Sequence, residues 1–454
     1  MNSELNYLKI KLNEILNKES NFGFILNSWI HLVKINSVSV PNYDLKDFFL
    51  KNILQDFAKN ILKIFINFFS FTNNKSFKDK YYDFLIISHK LNSGYMKNDE
   101  DLYYGNLKEY LKKNNLKYKF VYLNHSKFSK NDHSFFLNEC NFWNKVKVFF
   151  RIIKTSIYFF IKYRKRLKKE LLLKIFFEFF SIFTFYNFII FENLKKISEK
   201  NKIKYIITTF EGYSWEKAVF SSQKNFETQT IGYQHSFISK ENNTILEIYN
   251  KDLIPDVVLT TGEITEDIFK KKNIYNKVKI LGNAKIFKIS NKIKMQKKKF
   301  ILVAPDGVES ECVKMIEFIS KYHIKNCDYK FIIRLHPILN LENLKKKYSI
   351  FNQNFKNIIF SKEKIEFDLE RSAFCLYSSS TIAFNCILSD VEPIYVNLNN
   401  LYSTNVLNEV DEVKKIDDIS QLEECLKIRK INTKALTFTK KYFYKFDFDV
   451  LKSL

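Results

Sequence analysis

Phe331-Ile332-Ile333-Arg334-Leu335-His336-Pro337 decides how this chain is read. The apolar run from Phe331 to Leu335 reads as a short buried strand. Pro337 has no N–H to continue a ladder and holds His336 in an extended conformation. A polar side chain is therefore left at the C-terminal lip of a strand, where open α/β sheets bind their ligands. Further on, Phe374-Cys375-Leu376-Tyr377 reads as a second strand. It runs into Ser378-Ser379-Ser380-Thr381 and then a helical stretch. Backbone N–H groups and hydroxyls at a helix start suit an anion.

The same plan repeats on both sides. Short apolar runs at 204–209, 228–233, 256–261 and 277–281 each end in a small or polar residue and mostly lead into a helical pattern. Two earlier runs, Asp83–Ser88 and Tyr118–Leu123, flank a helical stretch. After a basic, weakly patterned linker at 286–299, the plan restarts with Phe300–Ala304 followed by Pro305-Asp306-Gly307. It continues to a strand at 392–397. This is the grammar of doubly wound parallel sheets. Five of the eight glycines fall between 212 and 307, at strand ends or turns. The expected fold is α/β: two Rossmann-like domains facing a cleft. Residues 1–75 would be a helical extension and 76–288 the first domain, with a helical insertion at 143–200. Residues 289–435 would be the second domain and 436–454 a helical tail.

The 454 residues are 46% hydrophobic, enough for two cores. The net charge is +25, from 74 Lys and Arg against 49 Asp and Glu, which favours anionic partners; an AT-rich coding bias gives the same excess of Lys. Cys140, Cys312, Cys327, Cys375, Cys386 and Cys425 show no metal-ligand spacing and read as reduced thiols. The opening MNSELNYLKIKLNEI lacks an apolar signal core, so a cytoplasmic location is expected.

The 143–200 tract is the most apolar. LLLKIFFEFFSIFTFYNFIIFENLKK (171–196) approaches a membrane-spanning length, but Lys174 and Glu178 interrupt it. A buried or surface-docked helix pair is expected instead. Basic residues at 151, 154, 162, 164–166, 168 and 169, interleaved with aromatics, suit an anionic membrane surface as readily as a solvated helix face.

Several residues are candidates for chemistry. His336 would stabilise a departing phosphate; a lone His is otherwise a satisfied core residue. Arg334 would be a phosphate partner or a core-edge ion pair. Ser378, Ser379, Ser380 and Thr381 exceed what one N-cap requires. Glu211-Gly212 places a carboxylate at a strand end, where it would act as a general base or simply favour a helix start. Asp306, before Gly307, is the rival carboxylate. Gln234 and His235 end another strand and would line the same cleft. No DxD site stands at a strand end, so neither metal nor cofactor is expected. No P-loop, dinucleotide GxGxxG or GxSxG elbow is present.

The order Glu211-Gly212, His336-Pro337, Ser378–Thr381 resembles bacterial sialyltransferases and related Kdo or nonulosonate transferases of the GT-B fold. Phe210 stands where those proteins commonly carry a second acid. EGYSWEKA (211–218), IGYQHS (231–236) and LVAPDGVESEC (302–312) also resemble a group of bacterial surface-carbohydrate biosynthesis proteins. The resemblance implies an inverting, metal-independent glycosyltransferase. The donor would be a nucleotide sugar, a CMP-activated keto-sugar acid by this likeness, bound by Arg334, His336, Pro337 and Ser378–Thr381. The acceptor would be a glycan or glycolipid of the cell surface, such as capsule or lipopolysaccharide, reached from the cytoplasmic membrane face. Two other readings stand beside it: a CDP-polyol phosphotransferase of the teichoic-acid kind, and a non-catalytic polysaccharide assembly or export protein. A nucleic-acid partner rests on charge alone and is not expected.

Overall fold

A computed structural model describes residues 53–70, 80–90, 101–124, 135–238, 244–248, 250–283, 300–322, 329–336, 339–398, 405–430 and 432–454, with isolated positions at 11, 14–15, 18–19, 23 and 77. Pro337, Cys327 and the linker at 286–299 lie outside the described residues, as does most of the expected extension at 1–75. The chain divides into two compact units. One is built from the chain up to Thr261 with Thr265–Leu281 and Asp447–Leu454, the other from Gly262–Ile264 and Gly282–Phe446.

The first unit contains, in order, α1 (Ile53–Phe68), β1 (Tyr81–Lys90), α2 (Leu107–Lys113), β2 (Tyr118–Asn124), α3 (Phe142–Tyr163), α4 (Lys169–Glu178), α5 (Ile182–Lys200), β3 (Lys202–Thr209), α6 (Ser214–Gln223), β4 (Gln229–Tyr233), β5 (Val257–Thr260), all but the first two residues of α7 (Glu263–Lys270), and β6 (Val278–Ile280). The strands form one sheet in the order β2-β1-β3-β4-β5-β6, every pair parallel. Leu85, Ile86 and Ile87 are fully buried, the mark of a strand covered on both faces. The order reverses between β1 and β3, so their C-terminal ends open the crevice of this sheet.

The 143–200 tract is three helices, not a pair. Its apolar half breaks between α4 and α5, where the Ser181 hydroxyl accepts the Thr184 N–H and starts a new helix. The two halves are bent by 57°. Phe179, Phe185, Phe188 and Ile189 are fully buried in the core of this unit. Among the described residues no single helix is long and apolar enough to cross a membrane.

The second unit contains β7 (Phe300–Ala304), α8 (Glu309–Ser320), β8 (Lys330–Ile333), α9 (Leu341–Lys347), β9 (Ile358–Phe360), α10 (Ile365–Arg371), β10 (Ser372–Tyr377), α11 (Ile382–Leu388), β11 (Glu392–Val396), β12 (Lys414–Ile416), α12 (Leu422–Lys427) and α13 (Thr433–Tyr442). The sheet is parallel throughout, in the order β12-β11-β10-β7-β8-β9. This is the Rossmann order, with its switch point between β7 and β10. The strand β12, Lys414-Lys415-Ile416, was not foreseen; as a short edge strand it is mostly charged. The 436–454 segment divides. Phe438 and Tyr442 stack on Phe384 of α11, whereas Asp447–Leu454 belongs to the first unit, where Tyr110 packs on Phe448. Cys140, Cys312, Cys375 and Cys386 are buried free thiols, and Cys425 is a partly exposed one.

The chain thus carries two successive Rossmann-like units, the plan of the GT-B class.

Candidate active site

The first unit gathers its polar residues at the C-terminal ends of β1, β3 and β4. Beyond β3 the chain turns through Glu211, Gly212 and Tyr213 into α6. The carboxylate of Glu216, in the first turn of that helix, is fully buried. It accepts the backbone N–H of Glu211 (2.9 Å), Gly212 (2.7 Å) and Tyr213 (2.9 Å). Three consecutive donors converge on one acceptor because Gly212 takes a positive φ of 88°, which a side chain would strain. Burial, and then the charge of Glu211, push the Glu216 carboxyl well above the usual carboxylate range.

This division of labour answers what Glu211 is for. The capping duty belongs to Glu216, so the Glu211 carboxylate is not spent on the helix start. It lies instead 3.3 Å from Nε2 of His235, with side-chain exposures of 22% and 14%. The Tyr213 hydroxyl bonds to the same carboxylate, and the Glu211 charge followed by burial raises its pKa. The ring of Tyr103 meets His235 edge-on, with centroids 4.9 Å apart, and also packs on His89 at 5.0 Å. His89 in turn touches Trp215 and places Nε2 3.3 Å from the Thr209 hydroxyl, across the β1–β3 switch point. Gln234 is fully buried; its amide donates to the Ser236 carbonyl, and its Oε1 has no hydrogen-bond partner among the described residues.

The second unit repeats the buried-carboxylate device. Glu311, in the first turn of α8, is fully buried. It accepts the Asp306 N–H (3.1 Å) and the Ser379 hydroxyl (3.2 Å), joining the ends of β7 and β10 across the switch point. Burial and then the Asp306 charge raise its pKa, against hydrogen bonds from Ser378 and Ser379. Asp306 itself accepts the Gly307 N–H at 2.7 Å. The hydroxyl run is therefore divided. Ser378 is buried, Ser379 is held by Glu311, Ser380 lies 3.4 Å from the Ile382 N–H, and Thr381 is exposed. His336 is exposed beyond β8. The Arg334 guanidinium is in the core-edge ion pair: it bonds to the fully buried Asp368 at 2.9 Å and to the Glu363 carbonyl at 2.8 Å.

Glu211, Gly212, Gln234 and His235 thus come together in one unit, and Asp306, Ser378 and Ser379 in the other. Sequence reasoning missed His89, Tyr103, Tyr213, Glu216 and Glu311. His89 was within reach, since it ends an apolar strand as His336 does. Glu216 was also within reach, because it stands three residues after Tyr213, the capping-box spacing. Among the described residues no group of His, Cys, Asp and Glu could hold a metal ion.

No protein-family profile matches the chain, and neither does any curated protein. Similar solved structures include the UDP-GlcNAc 2-epimerase of Methanocaldococcus jannaschii, at 13% identity over 79% of this chain and 98% of that one, with a TM-score of 0.44. CalG4, the calicheamicin glycosyltransferase, is similar at 8% identity over 81% and 94%, TM-score 0.47. A variant of the wall teichoic acid polymerase TagF is similar at 9% identity over 91% and 96%, TM-score 0.37.

Proposed function

We propose that this protein is an inverting glycosyltransferase that moves a sugar from a nucleotide-activated donor to a cell-surface glycan or glycolipid. The observation that carries the reading is the Glu211–His235 pair at the C-terminal edge of the first sheet. An acceptor hydroxyl must lose its proton as it attacks, and a partly exposed carboxylate that does not cap the helix is suited to take it. In one displacement the acceptor oxygen bonds to the anomeric carbon, the carbon–phosphate oxygen bond breaks, and its electron pair leaves with the nucleotide. Inversion follows from the single displacement.

The donor would bind the second unit, with Ser380, Thr381 and His336 facing its phosphate. We take the donor to be a CMP-linked keto-sugar acid, on the order of the Glu-Gly, His-Pro and hydroxyl motifs. No cation enters the scheme. A second reading draws on the same pair: with Glu211 orienting it, His235 would be the base for a polyol hydroxyl attacking a CDP-polyol. The test offers CMP-sugars, UDP-sugars and CDP-polyols to the full chain and follows nucleotide release. Release of CMP from the CMP-sugar, abolished by Glu211→Gln, supports the first reading. Release from the CDP-polyol alone moves the assignment to the second, and no release from any donor removes both.

A further inference from the structure

The helix α3 presents an exposed, partly apolar face on the side away from the core. Its buried face is Val148, Ile152, Ser156, Phe159 and Tyr163. The opposite face presents Trp143, Lys147, Phe150, Lys154, Ile157 and Ile161, all exposed. At 3.6 residues per turn these positions fall within a stripe of roughly 80°. Trp143 is 72% exposed and Phe150 64%, an unusual display of apolar area on an ordered helix. Every charged residue from Lys145 to Lys169 is Lys or Arg. Phe65 in the last turn of α1 and Phe69 just beyond it are exposed as well. This end of α1 is held beside α3 by Lys145, whose buried ammonium donates to the Asn67 and Ser70 carbonyls.

We propose that this face of α3 docks the protein on a bilayer rich in anionic lipid. Apolar and basic side chains alternate along one stripe, so the rings and Ile side chains would enter the acyl boundary while the Lys heads reach the lipid phosphates. A second copy related by a twofold axis would lay Lys against Lys. A nucleic acid would leave Phe150, Ile157 and Ile161 in water. Lipid phosphate satisfies both components at once. The more apolar 171–191 stretch offers no such surface, since Phe179, Phe185 and Phe188 are core residues.

The test sediments the full chain with vesicles of phosphatidylglycerol or of phosphatidylcholine. Each Lys near an anionic surface strengthens binding about fivefold, so the Lys147→Ala/Lys154→Ala chain should bind phosphatidylglycerol about 25-fold more weakly. The Phe150→Ser/Ile157→Ser chain should lose binding as well. All four side chains are exposed, so both variants should keep the parent's melting temperature. Equal binding to the two lipids, or unchanged binding by both folded variants, overturns the proposal. So does tighter binding to a random oligonucleotide than to vesicles, or a dimer that these substitutions dissociate.

Discussion

Glu211 Oε1 stands 3.3 Å from His235 Nε2, at the ends of two neighbouring strands of one parallel sheet. A carboxylate and an imidazole so placed act as a unit. Replacing Glu211 by Gln should lower kcat by about 10²- to 10⁴-fold, the usual worth of a positioned base. His235→Asn should lower it as well, and the double variant should lose far less than the product of the two. Steady-state kinetics of all three chains against the parent checks this.

The turn that carries Glu211 depends on Glu216. With Glu216→Ala the N–H groups of Glu211, Gly212 and Tyr213 lose their acceptor, and stability should fall by about 3 kcal/mol. Gly212→Ala should cost ~1–2 kcal/mol, because φ there is positive. Urea midpoints measure both.

Lys217, also on α6, is fully buried, and burial pushes its pKa down to about 7, against partial relief from Glu216. The unfolded chain then holds more protons than the folded one between about pH 7 and the ordinary lysine range. Stability should therefore rise with pH across that window, by no more than about 1.4 kcal/mol per pH unit from this group. In Lys217→Met this part of the slope should vanish; denaturant titrations at several pH values read it directly.

The hydroxyls after β10 should separate into two classes. Ser378→Ala removes a partner of the buried Glu311 and should lower the melting temperature by a few degrees, about 1 kcal/mol. Ser380→Ala and Thr381→Ala should leave it unchanged and weaken nucleotide binding instead. Thermal unfolding with and without nucleotide distinguishes the classes.

The strand ends show what was legible in the sequence. Both parallel sheets could be read because every strand but the edge strand β12 carries a local apolar signature. The Glu211–His235 neighbourhood followed from two such ends. His89 was lost because the first strand was ended at Ser88, two residues short of its observed end at Lys90. The break at Ser181 was hidden by an unbroken apolar run, since the deciding hydrogen bond comes from one hydroxyl. Tyr103 reaches His235 from a separate turn, and Arg334 meets Asp368 from 34 residues away. Such contacts have no local periodicity. The edge strand β12 gave no signal because its side chains are mostly charged.

The most direct measurement is calorimetric titration of the full chain with CMP, CDP, UDP and GDP, repeated on His336→Ala and Glu211→Gln. The account predicts that CMP binds in preference to the others, that His336→Ala loses this binding, and that Glu211→Gln keeps it while losing transfer. Absence of binding by all four nucleotides, or binding that survives His336→Ala and fails in Glu211→Gln, would contradict it.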